Sequence, residues 1–266
     1  MALGQGYQAL HCDRVGDVLR VAIQHPASEL NTVDALLHGE FAQLFRELKR
    51  EDAARAVLLT GRGRAFSAGG DFGWFPTLDD LEKLEHLRRD AKQLIWDLLD
   101  VELPIVAALN GHAVGLGASI ALLCDVIFMS ESATICDPHV RVGIVAGDGG
   151  TAIWPLVLGP ARAKEFLLTG DKVEAADALR MGLVNRVVAG DQLLPEALAL
   201  ARTLATEVSP RSVRVMKRQL WEAPYQTLGE AVALANAEMF TSLQSEDFRE
   251  GVAHFQERRP ARFTGR

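Results

Sequence analysis

A chain of 266 residues, 48% hydrophobic and 24% charged, has the composition of a soluble globular protein with one large or two small domains. It contains no apolar run of the ~18 residues a membrane span needs. Its amino terminus lacks the basic and apolar regions of an export signal, and its net charge of -7 argues against nucleic-acid binding as a main role. Cys12, Cys124 and Cys136 are odd in number and lack metal-ligand spacing, so they read as reduced thiols of a cytoplasmic protein without a metal site.

In chain order, a first strand is expected near Ala9 to Arg14 and a second over Asp17 to Ile23. His25-Pro26 ends the second, because proline has no N–H to give to a ladder. Ser28-Glu29-Leu30-Asn31 then leads into a helix with the apolar face Leu37, Phe41, Leu44 and Leu48. Ala56-Val57-Leu58-Leu59 reads as a buried strand. It runs into four glycines within ten residues, Gly61 to Gly70, around Ala65-Phe66-Ser67-Ala68-Gly69-Gly70-Asp71. Glycine-rich backbone after a strand lets a ligand approach closely and lets amide N–H groups point outward. Amides so placed can stabilise an oxyanion on a carbonyl or thioester oxygen, although an ordinary turn has the same composition.

Trp74-Phe75-Pro76 precedes a long amphipathic helix whose stripe Leu84, Leu87, Ala91, Leu94, Ile95 and Leu98 reads as core. Leu103 to Leu109 is another buried strand, followed by a second glycine-bearing turn, Asn110 to Ser119, and an apolar helix through Leu123. An amide at the start of that helix gains from the local dipole. Asp125 to Met129 adds a strand, so strands alternate with helices as in a largely parallel sheet with covered faces. Past Thr151 the chain reads as helical: from Pro160, over Val173 to Met181 with a stop at Gly182, over Leu194 to Leu204, after the cap Ser209-Pro210, and over Tyr225 to Leu243 and Glu246 to Phe255. The division expected is an α/β core over 1–200 and a helical region over 201–266.

The segments Ala65 to Asp71, Pro104 to Gly117, Cys124 to Ile127, Gly143 to Thr151 and Gly182 to Asn185 resemble the enoyl-CoA hydratase/isomerase (crotonase) family. The resemblance runs from about Asp17 to Phe263. It implies a ClpP/crotonase α/β fold, a spiral core of ββα repeats with a C-terminal helical region that forms trimers or dimers of trimers. It also implies an acyl-CoA substrate, with coenzyme A entering only as part of the thioester and no separate cofactor. Carried over by position, the oxyanion-hole amides are those of Ala68 and Leu116, where most members have glycine at the second place. Ser28 and Leu30 stand where the family's first loop holds coenzyme A. Ala65, Phe66, Gly69, Gly70 and Asp71 border the oxyanion loop, and Trp74, Phe75, Leu116 and Trp154 are candidates for the wall of the acyl pocket.

The family's simple hydratases use two glutamates, and this chain has neither. Ser119 stands at the first position and His139 at the second. Histidine titrates near ~6.5 and can exchange a proton at neutral pH without special tuning. Asp148 resembles the placement of the aspartate of dienoyl-CoA isomerases, but it could equally cap the helix after it. Ser119 lacks a base of its own and more naturally hydrogen-bonds a substrate or water. His112 reads as structural, and Arg258-Arg259 are candidate partners for coenzyme A phosphates. The expected function is thioester chemistry through an enolate, with His139 and Asp148 moving protons. The competing readings are hydrolytic C–C cleavage of a diketone and a binding or assembly protein that kept the pocket without chemistry; RNA binding, known among relatives, is disfavoured by the charge.

Overall fold

The computed structural model describes residues 3–266. Strand β1 (Leu10–Val15) pairs antiparallel with β2 (Val18–Ile23) across a two-residue turn at Gly16-Asp17. Helix α1 (Ala35–Leu48) is capped by Asp34, whose carboxyl accepts from the Leu37 N–H at 3.0 Å. Strand β3 (Ala56–Gly61) lies parallel to β2 and is buried along its whole length. Its side chains alternate between two cores, Val57 and Leu59 entering one with α1, and Ala56 and Leu58 the other. A continuous apolar run is what a strand covered on both faces requires.

From here the chain repeats one unit. After β3 comes a short strand, β4 (Ala65–Ser67), then α2 (Leu81–Leu99). Strand β5 (Ile105–Leu109) is followed by β6 (His112–Val114) and α3 (Leu116–Leu122). Strand β7 (Val126–Ser130) is followed by β8 (Thr134–Cys136), then α4 (Gly150–Leu158) and α5 (Pro160–Thr169). The two-residue β9 (Val173–Glu174), α6 (Ala175–Met181) and β10 (Arg186–Val188) close the series. The long strands build a six-stranded sheet in the order β1-β2-β3-β5-β7-β10, and the short ones a four-stranded sheet in the order β4-β6-β8-β9. Each turn of the spiral therefore contributes one strand to each sheet. Helix α7 (Leu193–Thr206) covers the second face of the large sheet through Leu193, Ala197, Ala201 and Ala205. Helices α8 (Pro210–Glu222), α9 (Leu228–Ser242) and α10 (Glu246–Glu257) finish the chain.

Three expectations are corrected here. The second sheet has no counterpart in the strand assignments made from the sequence, because strands of two or three residues are too short to show a period. The α2 stripe is core only in its last turns, at Leu94 and Leu98; Leu84 is 44% exposed because the 19-residue α2 outruns the 14-residue α1 against which it packs. Helix α9 starts at Leu228, not Tyr225, where Thr227 and Glu230 form a reciprocal capping box.

Asn31 holds the first loop to the glycine-rich loop. It adopts a left-handed φ of 53° and is 1% exposed. Its side-chain oxygen accepts from the His25 N–H at 2.9 Å, and its amide nitrogen donates to the carbonyls of Arg62 and Ala65 at 3.0 Å and of Phe66 at 3.3 Å. Asn31→Ala strands a buried donor and is expected to destabilise the fold by about 1–3 kcal/mol, read as a lower urea midpoint.

Candidate active site

The two glycine-bearing turns lie side by side at the carboxyl ends of β4 and β6, which pair in parallel. Their approach depends on Gly117, where a Cβ would lie 2.8 Å from both the Ser67 Cβ and the Ser67 carbonyl oxygen. His139 completes the cluster: a Cβ on Gly115 would sit 3.3 Å from His139 Cε1 and 3.9 Å from Gly69 Cα.

The amides in this corner divide into engaged and free. The Ala68 N–H donates to the Leu30 carbonyl at 3.0 Å, which removes it from ligand binding and corrects the expectation for Ala68. The cause is a local ladder that ties the glycine loop to the first loop. Val33 N–H donates to the Gly69 carbonyl at 2.8 Å and Asp71 N–H to the Val33 carbonyl at 2.9 Å. Gly70, the bridging residue between those two bonds, turns its own N–H away from Val33, and that N–H has no acceptor among the described residues. The Leu116 N–H also has none, because Leu116 is the first residue of α3, where helical geometry leaves donors unpaired. The Leu116 side chain finds its room in the core, at 8% exposure.

Proton-carrying side chains gather around His139. Its Nδ1 lies 2.5 Å from Asp137 Oδ1, and its Nε2 lies 3.6 Å from Asp148 Oδ2. Ser119, fully buried on α3, donates from Oγ to Asp148 Oδ1 at 3.4 Å. The result is a continuous chain, Asp137–His139–Asp148–Ser119. Asp137 is 1% exposed, and its second oxygen lies against the first residue of α4, where a Cβ on Gly150 would come within 2.2 Å of it. The hydrogen bond that His139 donates to Asp137 raises the His139 pKa above its ordinary value, with the Asp148 charge adding and burial opposing. Burial raises the Asp148 carboxyl above the usual carboxylate range, against the pull of His139. Asp148 caps nothing: Gly149 is the N-cap of α4 and makes no side-chain bond there. One ligand-type atom each from Asp137, His139 and Asp148 falls within a 4.8 Å cluster.

The remaining candidate residues take structural places. Ala65 and Phe66 are fully buried in β4, and their carbonyls accept from Asn31, so neither side chain reaches a ligand. Asp71 closes its own turn, accepting from the N–H groups of Gly73 and Trp74 at 2.8 and 3.1 Å and from the Thr32 hydroxyl at 3.1 Å. Ser28 Oγ accepts from the Thr32 hydroxyl at 2.9 Å. The Trp74 ring is half-buried, 6.0 Å from the His38 ring and 6.3 Å from that of Phe75. Phe75 packs on Gly70, where a Cβ would meet its Cζ at 2.3 Å. Trp154 is wholly buried in the core and cannot wall a pocket. His112 Nδ1 is paired with the Thr134 hydroxyl at 2.8 Å. Arg259 is occupied by Glu250 and Glu257, which leaves Arg258 as the exposed member of that pair.

The sequence reading passed over Asp137, and it placed Gly70 among the substrate-binding residues and not as an oxyanion donor. Asp137-Pro138-His139 did carry a signal, since a carboxyl two residues before a histidine across a proline turn can fold back onto the ring.

The pattern of the enoyl-CoA hydratase/isomerase family matches residues 14–266. A crystal structure of an enoyl-CoA hydratase subunit from Geobacillus kaustophilus superposes with a TM-score of 0.89 at 34% identity, covering 98% of this chain and 99% of that one. The mitochondrial enoyl-CoA hydratase of Pongo abelii is 31% identical over 88% of this chain and 79% of its own. A carnitinyl-CoA dehydratase of Proteus mirabilis is 31% identical over 97% of this chain and 99% of its own. With nearly its whole length matched in sequence and its fold matched in three dimensions, the chain belongs to the enoyl-CoA hydratase/isomerase family.

Proposed function

We propose that the protein adds water across the double bond of an α,β-unsaturated acyl-CoA, or removes it, with His139 and Asp148 in place of a glutamate pair. The observation that carries this reading is the position of His139, with Nδ1 held by Asp137 and Nε2 left facing Asp148 at 3.6 Å. The N–H groups of Gly70 and Leu116 receive the thioester oxygen as it becomes an enolate oxygen. His139 Nε2 takes a proton from water as the water oxygen bonds to the β-carbon. Asp148, whose pKa burial raises, gives a proton to the α-carbon as the enolate collapses. The proton on His139 then passes to the Asp148 carboxylate, so both groups return to their starting states. Ser119 orients Asp148 from the opposite side. The protein works as a homotrimer or a dimer of trimers.

A second reading, hydrolytic C–C cleavage of a β-diketone, is favoured by the same Asp137–His139 pair, which activates water whatever carbon the water attacks. Assay of enoyl-CoA, dienoyl-CoA and β-diketone substrates side by side separates the two. Absence of turnover on every one of them would leave only a coenzyme A-binding role.

The pH profile tests the histidine assignment. His139 must be neutral to accept a proton, so kcat/KM is expected to fall as pH drops through a pKa above the ~6.5 of free histidine. Asp137→Asn removes the partner that raises that pKa. The acid limb should move to lower pH, and kcat should fall by less than the ~10²–10⁴ at stake in the base itself. An unmoved limb with unchanged kcat would remove Asp137 from the mechanism.

A further inference from the structure

A cavity of about 750 Å³ opens between α2, α4 and α8. Gly147 and Gly149 line it, and they are the immediate neighbours of Asp148. It therefore shares a wall with the proton-carrying cluster. Its lining is dominated by Ile95 and Trp96 of α2, Leu123 just past α3, Ile153 and Leu156 of α4, and Trp221 of α8. Trp96 is 54% exposed and Leu156 46%, so large apolar side chains face a space that the chain itself leaves unfilled.

The charged side chains around the cavity are of both signs. Lys217 is spent on the Leu103 carbonyl at 2.7 Å and on Asp125 at 2.8 Å. Arg218 faces Glu102 at 3.7 Å, and Asp100 and Glu222 also contribute to the lining. Lys92 and Arg214 line it as well, so both signs are present at its edge, while the apolar side chains supply the contact surface that would hold a ligand there. The volume also bears on size, since pockets of ~300–1,000 Å³ bury drug-sized groups, and a four-carbon acyl chain would leave most of such a space to water.

We propose that this cavity receives the acyl group, and that the preferred thioesters carry a bulky apolar group, branched or ring-bearing, instead of a short unbranched chain. This rests on the acyl-CoA reading given above. Two indoles, from α2 and α8, are suited to the flat or broad surface of a ring.

The test uses binding, so that it stands apart from turnover. Isothermal titration of the full-length protein with cyclohexylacetyl-CoA and with acetyl-CoA compares a ring-bearing with a minimal acyl group on the same nucleotide. At least tenfold tighter binding of the ring-bearing ester is expected. Ala152→Trp places an indole in the cavity from an exposed position on α4, where the fold bears little cost, and Leu156→Trp does the same from the next turn. Each should abolish the preference while leaving acetyl-CoA affinity unchanged. Equal affinity for the two esters in the wild type, or a preference that survives both filling substitutions, would overturn the proposal. If the preference is present but no enoyl-CoA is turned over, the reaction fails and the acyl site stands. If turnover occurs without the preference, the acyl site fails and the reaction stands.

Discussion

Leu116→Pro is expected to lower kcat on an enoyl-CoA by ~10²–10³ while leaving coenzyme A binding nearly unchanged. Main-chain donors are hard to test by substitution, because every residue except proline keeps the N–H. Leu116 occupies the position where the exchange is best tolerated. It is the first residue of α3, its N–H has no acceptor among the described residues, and proline is favoured at that place in a helix. The substitution therefore deletes one donor without costing the helix a hydrogen bond. Leu116 is also 8% exposed and packed in the core, so some stability is lost with the side chain. Leu116→Ala supplies the control, since it makes a similar packing loss and retains the amide. A proline variant that turns over as fast as the alanine variant would show that no charge develops at this nitrogen.

The second large effect belongs to His139. His139→Ala is expected to lower kcat by ~10²–10⁴, the usual contribution of a positioned general base, with little change in affinity for coenzyme A. The imidazole lies between the buried Asp137 carboxyl, at 2.5 Å, and the partly buried Asp148 carboxyl, at 3.6 Å. Removing it leaves water without an acceptor and leaves Asp148 without the route by which its proton is restored. The acid limb of the pH profile should disappear in the same variant, because the titrating group is gone. Asp148→Asn is expected to have a comparable effect, and the double variant should be little worse than either single one, as for groups that act as a unit. Additive losses would mean that the two residues act in separate steps, and full activity in His139→Ala would end the assignment.

How much of this was legible beforehand varies by residue. His139 could be picked out because it stands at the second glutamate position of the family, and Asp148 because its placement resembles that of the dienoyl-CoA isomerase aspartate. Their partners could not be. Asp137 reads as an ordinary turn residue until the turn is folded and its carboxyl lies against the imidazole and the start of α4. Ala68 and Gly70 show the same limit within one loop. Both sit in a glycine-rich stretch after a strand, and nothing local says which N–H is free. That depends on Leu30 and Val33, nearly forty residues earlier, whose carbonyls claim the amides of Ala68 and Asp71 and leave Gly70 unpaired.

The sequence alone determined the α/β class, the long buried strands and the two glycine turns, because hydrophobic period and glycine spacing are properties of neighbouring residues; the family was legible through the resemblance of its motifs. Only the tertiary structure decided the second sheet, the identity of the free donors, the Asp137–His139–Asp148–Ser119 chain and the cavity beside it. Those features are made by residues far apart in the chain, and whether a polar group is paired or free is settled by which distant atoms come within about 3 Å of it.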